Sequence, residues 1–209
     1  MQHQHDDQRR QDDQRRIAQA IHAAEAGTSG QIVCVLARTS MNYGDIAMLL
    51  AALLALLAPW LLLALTQWSV IHLLLAQLVI FVIAWLLLSI PAISTMLVSG
   101  RAKRAAAHRA AAEQFMIRGL SRTSGGTGVL IFVSLAERYA RIIADDGIAA
   151  RIAPQDWQAI VDDLTAHMRE HRVGDGFVSA INACGALLAA HFPPGASASN
   201  ELPDRLYVI

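Results

Sequence analysis

Two adjacent carboxylates, Asp145 and Asp146, are the side chains best placed to do chemistry. They close an apolar run from Tyr139 to Ala144 and precede Gly147. Paired carboxylates beside flexible backbone can hold a hard cation such as calcium, or position a water molecule. A carboxylate at the start of a short helix can instead accept from the free N–H groups there. It then also gains about 0.3–1 kcal/mol from the helix dipole. Capping is the preferred reading of the pair, with a calcium site as its rival.

A second string, His167-Met168-Arg169-Glu170-His171, fits H-x-x-E-H, the inverted zinc-protease pattern. On a helix its two histidines, four apart, could share a face and ligate zinc, with Glu170 as general base. Met168 continues the apolar stripe of that segment, so the histidines are expected to face water, and a third ligand is wanting nearby. The loop Ser124-Gly125-Gly126-Thr127-Gly128 follows a helical segment and opens a strand, the reverse of a phosphate-binding loop. His3 and His5 lie in a charged leader where weak metal binding is conceivable but not expected. Cys34 and Cys184 both fall in apolar runs and read as buried, reduced thiols.

The elements that must position these residues can be read in outline. Gln31 to Ala37 and Val129 to Val133 are continuous apolar runs rich in β-branched residues, the pattern of strands covered on both faces. Tyr139 to Ala144 forms a third strand after a turn at Leu135-Ala136-Glu137-Arg138, so it must run antiparallel to the second. Its end, with Asp145 and Asp146, then lies beside the Gly125–Gly128 loop. Helices are predicted from Arg16 to Ala26, from Arg101 to about Leu120, and from Pro154 through Met168. A last one starts near Phe177, after a break at Gly174-Asp175-Gly176. The first and second strands, joined through a helix, should be parallel, giving a mixed sheet.

One block belongs to a different solvent. Between Ile46 and Val98 there is no Asp, Glu, Lys or Arg. Ile46 to Leu65 is twenty apolar residues, about 30 Å of helix, which matches a bilayer hydrocarbon core. Thr66-Gln67-Trp68-Ser69 turns the chain into a second run, Val70 to Ile90. Pro59 should kink the first helix, and Trp60, Trp68 and Trp85 suit membrane interfaces. Gln77 is expected to hydrogen-bond across the hairpin, and His72 to reach headgroups or water. So few polar groups make an anchor rather than a pore. The turn lacks Lys and Arg, whereas Arg101, Lys103, Arg104 and Arg109 crowd the exit of the second helix. The positive-inside rule then puts both chain ends in the cytoplasm. Those four cations could touch anionic headgroups, at about 1 kcal/mol each.

Composition agrees. The 209 residues are 55% hydrophobic with mean hydropathy +0.39, high for a chain without such an anchor. Zero formal net charge and 6% aromatic content give no field or stacking platform for nucleic acid. Residues 1–16 alternate acidic and arginine pairs and read as a solvated tail, helical from about Asp12 at most. With no apolar stretch there, no signal peptide is expected and the hairpin itself must direct insertion. The divisions are therefore a charged tail (1–16), a first helix and strand (17–40), the hairpin (46–90), the rest of the α/β domain (101–192) and a Pro/Ser-rich tail (193–209).

Three sets of strings carry a family resemblance. They are Gly30-Gln31-Ile32-Val33-Cys34-Val35; Gly128-Val129-Leu130-Ile131-Phe132-Val133 with Glu137-Arg138 and Arg141-Ile142; and Gly174-Asp175-Gly176-Phe177 with Ala180-Ile181. Together they resemble the TPM domain family, and most of all its bacterial members with an internal membrane hairpin and an Asn-Glu-Leu-Pro-Asp-Arg-Leu ending, here Asn200 to Leu206. The resemblance implies an α/β fold, a small mixed sheet sandwiched by helices. For activity it implies either an accessory role for membrane complexes or, as credited to some plant members, weak acid phosphatase activity and calcium binding. Where many members have Gly-x-Gly after the third strand, this chain has Asp145-Asp146-Gly147. The expected function is a bacterial inner-membrane, non-catalytic accessory module with the bilayer and a membrane protein as partners. A metal-assisted phosphatase is the alternative.

Overall fold

The computed structural model describes residues 2–123, 125–194 and 201–209. Contacts divide the chain into two units, residues 1–40 with 104–209, and residues 41–103.

The first unit is built on a four-stranded mixed sheet of order β3-β2-β1-β4. Strands β1 (Gln31–Ala37) and β2 (Gly128–Ser134) pair in parallel, Gln31 opposite Gly128 through Ala37 opposite Ser134. Strand β3 (Tyr139–Ala144) runs antiparallel to β2, from Ser134 opposite Tyr139 to Val129 opposite Ala144. Both central strands are continuous apolar runs because both of their faces are covered. On one face Ile32, Cys34, Val129, Ile131 and Val133 meet α1 (Gln2–Glu25), α7 (Pro154–Arg169) and α8 (Val173–His191), through Ile17, Ile21, Leu164, Phe177, Ile181 and Leu188. On the other, Val33, Val35, Leu130 and Phe132 pack with Ala111 and Phe115 of α5 (Gly100–Ile117) and with Leu120. Burying each such aliphatic side chain is worth about 1.5–3 kcal/mol. The expected sandwich is thus present.

Three local expectations are corrected. The charged residues 2–16 are not a tail but the first turns of α1, which is continuous from Gln2. Its Arg16 pairs with Asp13, three residues back, at 3.5 Å and with Asp175 of α8 at 2.7 Å, which ties this part of α1 to α8. Gly174-Asp175-Gly176 does not break a helix but forms the first turn of α8. Gly176 allows close packing there, since a side-chain carbon would come within 2.8 Å of His167 Cβ. Finally, the stretch after residue 193 is not only a tail. Leu206–Val208 forms β4, which pairs in parallel with Cys34–Leu36. The Pro/Ser-rich residues 195–200, Asn200 among them, and Ser124 lie outside the described residues, as do the side chains of His3 and His5.

In the second unit, α2 (Tyr43–Leu65) and α3 (Val70–Leu88) pack on each other and are followed by α4 (Pro91–Leu97). The buried residues of α2 are Ala47, Ala51 and Ala55, one per turn, and that of α3 is Leu73. Small residues at that spacing let two helices approach closely where no water drives them together. Elsewhere both helices expose leucine, isoleucine, valine and tryptophan. Helices α2, α3 and α8 are all long and apolar enough to cross a membrane.

Candidate functional site

The antiparallel return of β3 brings Asp145 and Asp146 to the Gly125–Gly128 loop, as the strand order requires. Asp145 N–H donates to the Gly128 carbonyl at 2.9 Å, continuing the β2–β3 ladder by one rung. One side-chain oxygen of Asp145 then accepts from Asp146 N–H at 2.9 Å, and the Asp145 carbonyl accepts from Ile148 and Ala149. Asp145 is therefore the N-cap of the short helix α6 (Asp146–Ala149), and Asp146 occupies its first turn.

The loop's backbone presses on this cap. Gly126 has φ of +61°, a left-handed conformation that glycine adopts without steric cost. A side-chain carbon at Gly147 would lie 2.7 Å from the Gly126 carbonyl oxygen and 3.0 Å from that of Gly125, so only glycine fits. The second Asp145 oxygen lies near Gly126, and Asp146 is exposed. The corner therefore offers hard oxygen donors from two carboxylates and two carbonyls, one carboxylate oxygen already engaged as a cap. Among the described residues no three His, Cys, Asp or Glu side chains converge as a metal site.

The H-x-x-E-H string straddles the end of α7. His167 is still helical, its Nδ1 3.0 Å from the Asp163 carbonyl. His171 stands beyond the helix at φ of +57°, and Glu170 pairs with Arg172, which holds the Glu170 carboxyl below its usual range. The left-handed turn removes the shared helical face that zinc ligation needs. Cys34 and Cys184 are free and buried, and burial pushes Cys184 up to about 12.

In the hairpin, Pro59 lies inside α2, and Trp60, Trp68 and Trp85 are exposed. Gln77 of α3 lines a shallow cleft with Ala52, Ala55 and Leu56 of α2. His72 is 2.7 Å from the Ser69 hydroxyl at the start of α3. Arg101, Lys103, Arg104 and Arg109 all lie on α5.

Two carboxylates that sequence reasoning passed over are the most constrained in the first unit. Glu137, in the β2–β3 turn, accepts from Ser40 N–H at 3.0 Å, from the Thr39 hydroxyl at 3.2 Å and from Ser134. The Ser40 hydroxyl also meets that of Ser134 at 2.9 Å. This network fixes the last residues of β1's exit; the only signal for it was the Glu137-Arg138 string. Glu25, at the end of α1, accepts from Ile32 N–H at 2.6 Å. That amide points toward the β4 side of the sheet at a rung β4 does not reach, so a side chain completes the edge. Burial, and secondarily the adjacent Asp204 carboxylate, push the Glu25 carboxyl up to about 8 against the pull of the Ile32 amide. Asp204 in turn lies 3.0 Å from His22. Upstream of β4, Glu201 and Leu202 donate their amides to Gln31.

Residues 95–187, from within α4 to near the end of α8, match the family model described as TPM domain, TPM_phosphatase. The NMR structure of BA42 protein from the psychrophilic bacterium Bizionia argentinensis is similar at a TM-score of 0.59 and 18% identity. The match covers 95% of this chain and 93% of that one, a likeness of fold. Comparison with curated proteins finds no match.

Proposed function

We propose that this chain, whose residues 95–187 match the TPM domain model, is a membrane-anchored, non-catalytic module that assists assembly or maintenance of a membrane protein complex. The observation that carries this reading is where the apolar helices sit. The chain leaves β1, forms two helices whose apolar windows are only 17% and 6% buried in protein, and returns to the same sheet through α5. Such helices, inserted between two paired strands, are suited to holding the domain at a bilayer. The basic exit, Arg101, Lys103, Arg104 and Arg109, against an uncharged turn at Thr66–Ser69 favours a bacterial inner membrane with both ends in the cytoplasm.

The rival is a metal-assisted phosphatase, favoured by the family's description and by the oxygen-rich corner at Asp145, Asp146 and the Gly125–Gly126 carbonyls. The engagement of Asp145 as a cap counts against it. The experiment is purification of the full chain from native membranes in mild detergent, with phosphatase assays of the same preparation. A stoichiometric membrane protein partner is expected. Calcium- or magnesium-dependent turnover that disappears in Asp145→Ala and Asp146→Ala would defeat the module reading.

A further inference from the structure

The sheet has two edge strands, β3 and β4, and the β3 edge borders a cleft. The Asp145 N–H to Gly128 bond fixes which rungs of β3 face inward. Residues 139, 141 and 143 bond β2, so the amides and carbonyls of Ala140, Ile142 and Ala144 point out of the sheet. The cleft, of about 580 Å³, runs along this edge between β3 and α7.

Four arginines line it: Arg104 from α5, Arg138 from the β2–β3 turn, Arg141 from β3 and Arg169 from the end of α7. None of the four is ion-paired among the described residues, in a chain whose net charge is zero. Arg141 instead contacts the imidazole of His108. The one acid lining the cleft, Asp162, accepts from Gln158 at 2.8 Å. Charges on an edge strand ordinarily discourage pairing with other chains. Here two of the four come from the helices on either side and converge on the strand, which makes a receptor for negative charge rather than a row of deterrents. Partial burial lowers the Arg141 pKa, so that guanidinium is incompletely hydrated and open to a carboxylate.

We propose that the open edge of β3 docks an extended, acidic segment of a partner protein, which joins the sheet as a fifth strand with its carboxylates toward Arg104 and Arg141. Main-chain bonds to Ala140, Ile142 and Ala144 give the register, and alternate side chains give the selectivity. Tyr139 and Ile143 pack in the α5-side core, so Arg141 projects from the same face as Arg104. Ala140 and Ile142 lie on the α7 side, with Trp157. The fitting segment therefore alternates acidic and apolar residues over about six positions, roughly 20 Å. A bound phosphate or anionic lipid would use the charge but leave the outward amides unused. This assignment rests on the module reading above and names the chemistry of its partner.

The test uses the full chain in phosphatidylcholine nanodiscs and a fluorescent decapeptide alternating Glu and Val. Two analogues accompany it, one with Gln for every Glu and one with two central prolines that keeps all its charges. The Glu peptide is expected to bind, and both analogues to bind at least about tenfold more weakly. Arg141→Gln and Arg104→Gln should each weaken the Glu peptide severalfold, while Arg15→Gln on α1 should not. Ala140→Pro, which removes an outward amide, should weaken it without changing the far-ultraviolet spectrum. Equal binding of the proline analogue would overturn the proposal and leave a general anion site, which inorganic phosphate or phosphatidylglycerol nanodiscs would then occupy in competition. Failure of the Glu peptide while a stoichiometric partner still co-purifies would overturn this edge alone. Failure of both, with metal-dependent turnover, would overturn the module reading.

Discussion

Helices α3 and α8 are each nineteen residues long and apolar enough to cross a bilayer, yet 39% of the apolar window of α8 is buried in protein and only 6% of that of α3. The difference lies in direction, not amount. In α8 the buried residues Phe177, Ala180, Ile181, Cys184 and Leu188 fall on one stripe, while Asp175 and Ser179 engage Arg16 and Asp163. Gly185 belongs to the same packing: a side-chain carbon there would stand 2.7 Å from Ala24 Cβ of α1. In α3, leucine, isoleucine and valine go all the way round, and only Leu73 is buried. A one-sided helix finishes a protein core; an all-sided one asks for lipid.

The largest test of that contrast replaces residues 41–103 with a flexible Gly/Ser linker. The full chain should pellet with membranes and need detergent, whereas the shortened chain, which keeps α8, should stay in the soluble fraction. A shortened chain that still requires detergent would make α8 a membrane span. Next come truncations within each helix. Phe177→Ala should cost about 3–5 kcal/mol in denaturant unfolding of the first unit, because the cavity opens in a closed core. Leu75→Ala, at a residue 56% exposed, should change stability by less than about 0.5 kcal/mol in lipid. Equal costs would dissolve the distinction.

The same contrast explains what could be read in advance. β1, β2, β3 and the hairpin declare themselves through uninterrupted apolar runs or strict period, signals that need no knowledge of neighbours. The corner at Asp145 was legible because an antiparallel return has only one place to end. What stayed hidden depends on distant partners. Strand β4 is three residues after Pro203 and pairs only because β1 offers an edge 170 residues earlier in the chain, where Gln31 receives the Glu201 amide. Residues 2–16 look solvated until Arg16 meets Asp175. The H-x-x-E-H spacing suggests a helix face that a left-handed His171 takes away. Glu25 carries no motif at all. Its role follows from β4 stopping short of Ile32.

That last carboxylate gives the smallest and most selective test. Folding raises the Glu25 pKa to about 8, so the folded first unit holds a proton that the unfolded chain, near 4.5, gives up more easily. The stabilisation is complete below pH about 4.5, declines as the pH rises, and is gone above about 8. His22 and Asp204 face the same spot, so the comparison that isolates Glu25 is wild type against Glu25→Gln, a neutral side chain that can still accept the Ile32 amide. Between pH 5 and 9, hydrogen exchange of β1, β4 and the end of α1 should quicken in the wild type beyond intrinsic chemistry and change little in Glu25→Gln. Helices α2 and α3 carry no Asp, Glu, Lys or Arg from Ile46 onward and should show no such difference in lipid. If the two proteins had parallel pH profiles, the buried proton at Glu25 would not exist, and the edge of β1 would be held by the β4 segment alone.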